Sequence, residues 1–493
     1  GVAALVLEEA NTRNIAMSSA AMKALLIQTA QDVQGIGQAT VGPDYATGWG
    51  IVDAEAAVNL LRQGGLAQGT LNATGNPSAW TRTFYVPENQ AEVHLTLVWD
   101  DPAGVPGGQI LVNDLDLRLI APDTTVFRPW TLNPANPGLA AVRNGGNDAV
   151  NNVEQVSVVN PMEGVWTVRV SANAGNLPQV PQAFSVASVL PQRDVVLVMD
   201  RSGSMSLESA TPGVTKLEAL QNAANEFVDL LDLGGGHRLG LVQFQENLVP
   251  FTPPFDLQQL GSGNVGDAHG AINGMVTGGW TNIIAGVDEA ASQLDDLAPS
   301  FPRQAIVVFS DGKHNRPVAS DLNNIDATVQ TGGHSFYSVG FGTDVDDAIL
   351  TNVANNSGGI HVNEQDLDPL QLTKYFLTVG AQVHNMAVLA DPAFELGAGQ
   401  TAEVAVDVSV LDQSLTVAVN WTSSIAEDVT LALRAPDKTC DIPLTDHPGL
   451  QVRQGAAYKL IRVTLPYDCQ GSIMHQGRWT VQATPEGIRA RGK

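Results

Sequence analysis

Two cysteines, Cys440 and Cys469, are all that the 493 residues contain. A disulfide framework or a cysteine-rich zinc centre cannot be built from so few, so the fold must rest on apolar cores. Basic residues are scarce too: 25 Lys and Arg stand against 51 Asp and Glu, a formal net charge of -26. The acid is spread along the chain rather than gathered in a tail. This argues against nucleic acid and against an anionic membrane as partners, and the charge reads as a solubilising surface. No apolar run is long enough to span a membrane as a helix. Aromatics make up 5% of the chain whereas Gly numbers 48 and Pro 27, which suits turn-rich β domains. The length predicts three or four domains. The chain opens inside an apolar helical pattern, Gly1-Val2-Ala3-Ala4-Leu5-Val6-Leu7, and the expectation is that it is a piece of a longer protein.

Four segments follow from the patterning. Residues 1–63 read as helices, with Leu5, Leu7, Met22, Leu25, Leu26 and Ile27 as the apolar face and a short helix from Asp53 to Leu61. Residues 66–190 read as an antiparallel β-sandwich, because Val93–Trp99, Leu115–Leu119 and Val165–Val170 alternate between Gly- and Pro-rich breaks. From 192 to 380 strands alternate with helices. Strands are predicted at Asp194–Met199, Arg238–Phe244, Ala305–Phe309, Ser335–Val339 and Gly359–Val362. Helices are predicted near Lys216–Leu231, Asn282–Leu294, Asp346–Asn355 and Pro369–Thr378, giving a doubly wound α/β domain. Residues 385–487 return to β patterning as a second sandwich. The two sandwiches read as copies: Pro122 lies 44 positions before Trp166, and Pro436 lies 43 before Trp479, inside matching Ala-Pro-Asp and Gly-x-Trp-Thr-Val runs.

The chemistry concentrates at Asp200-Arg201-Ser202-Gly203-Ser204, in the loop leaving the first α/β strand. A carboxylate and two hydroxyls are hard oxygen donors, suited to Mg²⁺, Mn²⁺ or Ca²⁺. Thr281 opens a later helix and Asp311 ends the strand Ile306–Phe309. All three loops fall at the carboxyl edge of the predicted sheet, so Asp200, Ser202, Ser204, Thr281 and Asp311 can converge. Taken singly, Asp200 or Ser202 is as well explained by a turn or helix cap. His314 and Arg316 read as solvent-exposed loop residues. No nucleophile with its base is present, so the set does not read as hydrolytic.

The D-x-S-x-S run with the later Thr and Asp resembles the metal-ion-dependent adhesion site of von Willebrand factor A domains, over about 190 to 380. The resemblance implies that Ser202 and Ser204 bind Mg²⁺ or Mn²⁺ directly, that Thr281 binds directly or through water, and that Asp200 and Asp311 act mainly through water. It also implies an open metal position for an Asp or Glu carboxylate of a protein ligand. Trp280 departs from the family, which usually has a small residue there, and narrows the mouth. Residues 1–63 resemble the carboxyl end of a subtilisin-like serine protease domain, through Gly1–Leu5, Met22–Ala30 and Tyr45–Ala54. Its nucleophile would precede Gly1, so the stretch at hand carries no Ser-His-Asp triad and is not expected to cleave peptides. Residues 66–190 resemble the jelly-roll that follows some subtilases, akin to the P domain of proprotein convertases. That resemblance makes Asn113, Asp114, Asp116, Asp148, Asn152 and Glu154 a candidate Ca²⁺ set, with plain turn formation as the other reading. In a secreted protein Cys440 and Cys469 are expected to pair.

Together these readings predict a secreted chain: a protease tail, a jelly-roll, an A domain and a second sandwich. The expected function is metal-dependent binding of a protein, polypeptide substrate or surface, within the carboxyl-terminal part of a subtilisin-like protease. A chain that is foremost a serine endopeptidase, and a non-enzymatic adhesin with a protease relic, are the alternatives.

Overall fold

The computed structural model of the protein describes residues 1–485 apart from 13–14, 34–41, 63–64, 73–78, 87–91, 106, 108–109, 144–145, 173–175, 189–193, 235–236, 253, 262, 296–303, 317–321, 323, 333, 342–344, 365–367, 385, 387, 398, 410–411, 413, 422–428, 437–440, 443, 448 and 470. Helices Val2–Thr12, Ser19–Gln28 and Ala54–Arg62 open the chain. Ser18 caps the second of them, its side chain accepting from the Ala21 N–H. The apolar faces of these helices do not close on themselves. Val6, Ala24, Leu25, Leu60 and Leu61 pack on Val98, Val153 and Ala187 of the sheet that follows.

That sheet runs in the order Leu66–Leu71, Gln182–Ser188, Glu92–Trp99 and Val153–Val159, all antiparallel. A second sheet holds Trp80–Val86, Gly164–Ser171, Asp116–Ile120 and Val126–Phe127. Both contribute to one core around Phe84, Leu97, Trp99, Leu117, Trp166 and Phe184. Alternation breaks down along Glu92–Trp99, whose last five residues are all buried. The helices cover its outer face, and Thr96 there donates its hydroxyl proton to Gln28 Oε1 at 2.7 Å.

The α/β unit has a six-stranded sheet. In space the strands run Gln258–Gln259, Arg238–Phe244, Asp194–Asp200, Gln304–Ser310, Ser335–Phe341 and His361–Glu364. All pairs are parallel except the two-residue edge strand. Numbered along the chain this order is 3-2-1-4-5-6, so the direction of winding reverses between Asp194–Asp200 and Gln304–Ser310. Both of those strands are buried nearly throughout, as their unbroken Val, Ile and Leu runs require. Helices Lys216–Gly234, Val265–Asn273 and Pro369–His384 cover one face, around Phe227, Phe309 and Phe376. Helices Ile283–Asp295, Ile325–Gly332 and Asp347–Ser357 cover the other, around Val196, Val308 and Phe336. The helices Val265–Asn273 and Ile325–Gly332 and the edge strand go beyond the sequence reading. Each is short, with too few turns or residues to establish a period.

Two larger sheets follow, and Tyr467–Cys469 pairs with Ser472–Met474 in a two-stranded one. Ala402–Val408, Gly477–Pro485, Val429–Arg434 and Asp441–Ile442 form one; Ser414–Asn420, Tyr458–Thr464 and Leu450–Gln454 form the other. They share a core around Trp421, Leu433, Ile461 and Trp479. The two sandwich segments repeat one local device. Gly164 sits at φ +130 and Gly477 at φ +124, and a Cβ on either would fall 2.7 Å from Pro122 Cγ or 2.9 Å from Pro436 Cβ. The tryptophan just after each glycine is anchored in the same way. The Trp166 indole N–H donates to the Met162 carbonyl, and that of Trp479 to the His475 carbonyl, each at 2.9 Å. The Pro–Gly–Trp spacing seen in the sequence is thus one packing arrangement used twice.

Cys469 ends the strand Tyr467–Cys469, and no described cysteine is free. Cys440, its expected partner, lies outside the described residues. Among the described residues no helix is long and apolar enough to cross a membrane.

Candidate metal site at the carboxyl edge of the sheet

Asp200 is the last residue of its strand, not the first of the loop, and is paired in register with Phe244. From there the chain turns sharply. Ser202 N–H donates to Asp200 Oδ1 at 2.7 Å, and a single turn of tight helix, Gly203–Ser206, follows. This turn aims both serine hydroxyls at one point, with Ser202 Oγ and Ser204 Oγ 3.1 Å apart. The neighbouring loop is stitched to it through Gly203 N–H to the Gly279 carbonyl at 3.1 Å and Gly278 N–H to the Arg201 carbonyl at 2.8 Å. Gly279 takes φ +70, a left-handed turn two residues before Thr281.

Strand Gln304–Ser310 delivers the rest. Ser310 donates its hydroxyl to Asp200 Oδ2 at 2.6 Å, so both oxygens of Asp200 are held. Ser204 donates to Asp311 Oδ1 at 2.7 Å, and the ammonium of Lys216 lies 2.6 Å from Asp311 Oδ2. Next comes Gly312, where a Cβ would meet only the Thr281 hydroxyl, at 3.6 Å. Thr281 is held by its backbone, its N–H donating to Asn315 Oδ1 and its carbonyl accepting from the Asn315 N–H, each at 3.0 Å. Asp200, Ser202, Thr281 and Asp311 are all buried. Burial pushes the Asp200 carboxyl up to about 6; the Ser310 hydrogen bond works against this and the charge of Asp311 adds to it.

All five expected residues therefore meet at the switch point of the sheet. Two carboxylates and three hydroxyls, with space kept open by Gly312, suit a hard divalent cation. Ser310 and Lys216 belong to the same network, although sequence reasoning does not single them out. Ser310 has a local signal, its place before Asp311 in Ser-Asp-Gly; Lys216, 95 residues away, has none. His314 corrects the reading of an exposed loop residue. It is buried, its Nδ1 accepts from the Ile283 N–H at 3.2 Å, and its own N–H donates to Asp346 Oδ2 at 2.8 Å. It braces the helix start after Thr281. Arg316 is exposed as read, and its guanidinium lies 4.2 Å over the Trp280 ring, itself 53% exposed.

The six candidate calcium residues are less coherent. Asp114, Asp116 and Glu154 are buried, and the charge of Asp116 acts on both Asp114 and Glu154. Burial, with Asp116 next, pushes Asp114 up to about 6, and burial holds Glu154 well above the usual range. Asp116 is paired with Arg118 at 2.7 Å, and Asp148 Oδ1 accepts from the N–H groups of Val150 and Asn151 in its own turn. Asn113 is turned to Gln179 and Gln182, and Asn152 donates to the Trp99 carbonyl. Among the described residues no three His, Cys, Asp or Glu side chains are arranged to hold a metal ion.

Comparison with known proteins agrees with the α/β unit. Residues 194–374 match the model of the von Willebrand factor type A domain. Inter-alpha-trypsin inhibitor heavy chain H4 of Bos taurus is 28% identical over 204 residues, 39% of this chain and 21% of its own length. The Homo sapiens protein of that name is 27% identical over 225 residues, 42% of this chain and 23% of its own length. The chain thus matches under a quarter of each relative. Among solved structures, a von Willebrand factor type A protein from Catenulispora acidiphila is 11% identical at a TM-score of 0.35, covering 85% of this chain and 67% of its own. The PilB minor pilin of Streptococcus sanguinis is 12% identical at a TM-score of 0.34, covering 60% of this chain and 94% of its own. The α/β unit of this chain is thus similar, over residues 194–374, to the von Willebrand factor type A domain.

Proposed function

We propose that this chain binds a protein partner through a divalent cation, Mg²⁺ or Mn²⁺, held by Asp200, Ser202, Ser204, Thr281 and Asp311. The observation that carries the reading is the convergence of these five residues, from three loops, at the switch point of one parallel sheet. The serine and threonine hydroxyls are neutral ligands. They leave much of the cation's charge unspent, and an Asp or Glu side chain of a partner supplies the missing anion. Among the described residues the site's serine hydroxyls are bonded to one another and to carboxylates rather than to a histidine base, which favours capture over hydrolysis. The helical segment and the first sandwich are proposed to be the end of a subtilisin-like domain and its jelly-roll, in a secreted parent protein. The support is their sequence motifs and the packing of the helices on the sandwich. The A domain would then hold the substrate or surface on which the parent acts.

Calorimetric titration of the chain with MgCl₂ and MnCl₂ tests the metal reading. Wild type is expected to bind one equivalent, and Asp200→Ala to lose at least tenfold in affinity with an unchanged circular dichroism spectrum. Indistinguishable isotherms for the two proteins would refute it.

A further inference from the structure

Lys216 opens the helix Lys216–Gly234 and reaches across to the candidate metal site. Its ammonium lies 2.6 Å from Asp311 Oδ2, with only 17% of the Lys216 side chain and none of the Asp311 side chain exposed. A long amine held this way is not a solvated surface charge. Asp311 has its other oxygen on Ser204, so its carboxylate is shared between the site and the lysine. The charge count follows directly. Asp200 and Asp311 contribute two negative charges and Lys216 one positive charge. A bound 2+ cation leaves the cluster one positive charge in excess; without Lys216 it would be neutral.

We propose that Lys216 is the residue that sets the charge of this site. It weakens the protein's own hold on the cation and keeps that cation electron-poor, which favours an anionic sixth ligand from a partner. In the metal-free protein the same ammonium neutralises Asp311 and keeps the Ser204–Asp311 contact assembled. The inference rests on the metal reading above but concerns a residue outside the ligand set.

The test is calorimetric titration with MgCl₂ of wild type, Lys216→Met, Lys216→Arg, Asp311→Asn and the Lys216→Met/Asp311→Asn double variant, with folding checked by circular dichroism. Lys216→Met is expected to bind Mg²⁺ about tenfold more tightly, the scale of one unit charge removed from near a divalent cation in well-screened surroundings. Lys216→Arg keeps the charge and should stay within about twofold of wild type. In the Asp311→Asn background the Lys216→Met effect should shrink, since the pair is already broken. The metal-free Lys216→Met protein should also melt at lower temperature than wild type, with the gap narrowing when Mg²⁺ is saturating. Unchanged or weaker Mg²⁺ affinity in Lys216→Met overturns the inference while leaving the metal reading standing, as does an Arg variant that behaves like Met. Absence of any Mg²⁺ binding by wild type defeats both. If Lys216→Met does not fold, Lys216→Gln carries the same charge change and the same expected sign.

Discussion

Glu226 gives the sharpest prediction, because it is a carboxyl buried between two domains. It lies on the helix Lys216–Gly234, 1% exposed, where that helix meets the second sandwich. Asn420 donates to its Oε2 at 2.6 Å. About one turn further along the same face, Asp229 accepts from the Tyr458 hydroxyl at 2.6 Å, and then Asp232 accepts from Arg453 at 2.6 and 2.8 Å. Leu230, Leu233, Tyr458 and Leu460 close the interface with apolar contact. Burial pushes Glu226 up to about 8; the Asn420 hydrogen bond opposes this and the Asp229 charge reinforces it. The unfolded chain ionises this group near 4.5. Between those values the folded protein holds a proton that the unfolded one has lost. Stability must therefore fall as pH rises from about 4.5 to about 8, and level off above. At about 1.4 kcal/mol per unit the total is on the order of 5 kcal/mol. His269, 3.2 Å from Asp229, titrates with the same sign: burial lowers its pKa, but Asp229 more than offsets this, so its contribution is also lost on raising the pH. Glu226→Gln separates the two, since its amide keeps an acceptor for Asn420 and cannot ionise. Urea unfolding of both proteins from about pH 5.5 to about pH 8.5 should show a steep decline in wild type and a shallower one in the variant. The variant should be the more stable at the alkaline end. Parallel pH profiles would refute the buried, protonated state of Glu226.

Three other substitutions probe the interface and the sandwiches. Arg453→Ala leaves Asp232 buried without its two charged hydrogen bonds and should cost about 2–3 kcal/mol in urea unfolding at neutral pH. Gly164→Ala and Gly477→Ala each force a side chain onto a left-handed backbone and into a proline ring. Each should cost about 3 kcal/mol, read as a lowered melting transition of the affected sandwich.

Much of the site is legible in the sequence, because the residues carrying it are local. Asp200, Ser202 and Ser204 fall within one turn, and the apolar strands before Asp200 and Asp311 mark both as strand ends. Period-2 and unbroken apolar runs likewise locate the long strands. His314 reads as exposed because its neighbours Lys313 and Asn315 are polar; its burial comes from the helix Ile283–Asp295 and Asp346, which local pattern does not place beside it. The calcium set fails to cohere for a related reason. Acid and amide composition names suitable oxygen donors, but Asn113 Oδ1 accepts from the Gln179 N–H, 66 residues away, and Asn152 Oδ1 from the Lys23 ammonium, 129 residues away.

The order of the segments, the parallel core of the α/β unit and the hydroxyls and carboxylates of its candidate site all follow from short-range pattern: which residue ends a strand, and what its near neighbours can donate. The Pro–Gly–Trp spacing that both sandwiches use is of the same kind. Two features have no such local signature. One is the sharing of Asp311 between Lys216 and Ser204 of the candidate metal site. The other is the line of Glu226, Asp229 and Asp232, which faces a domain 194 to 229 residues further along the chain. Charge balance and desolvation depend on what lies within a few ångströms in space, and folding, not spacing along the chain, sets those neighbours.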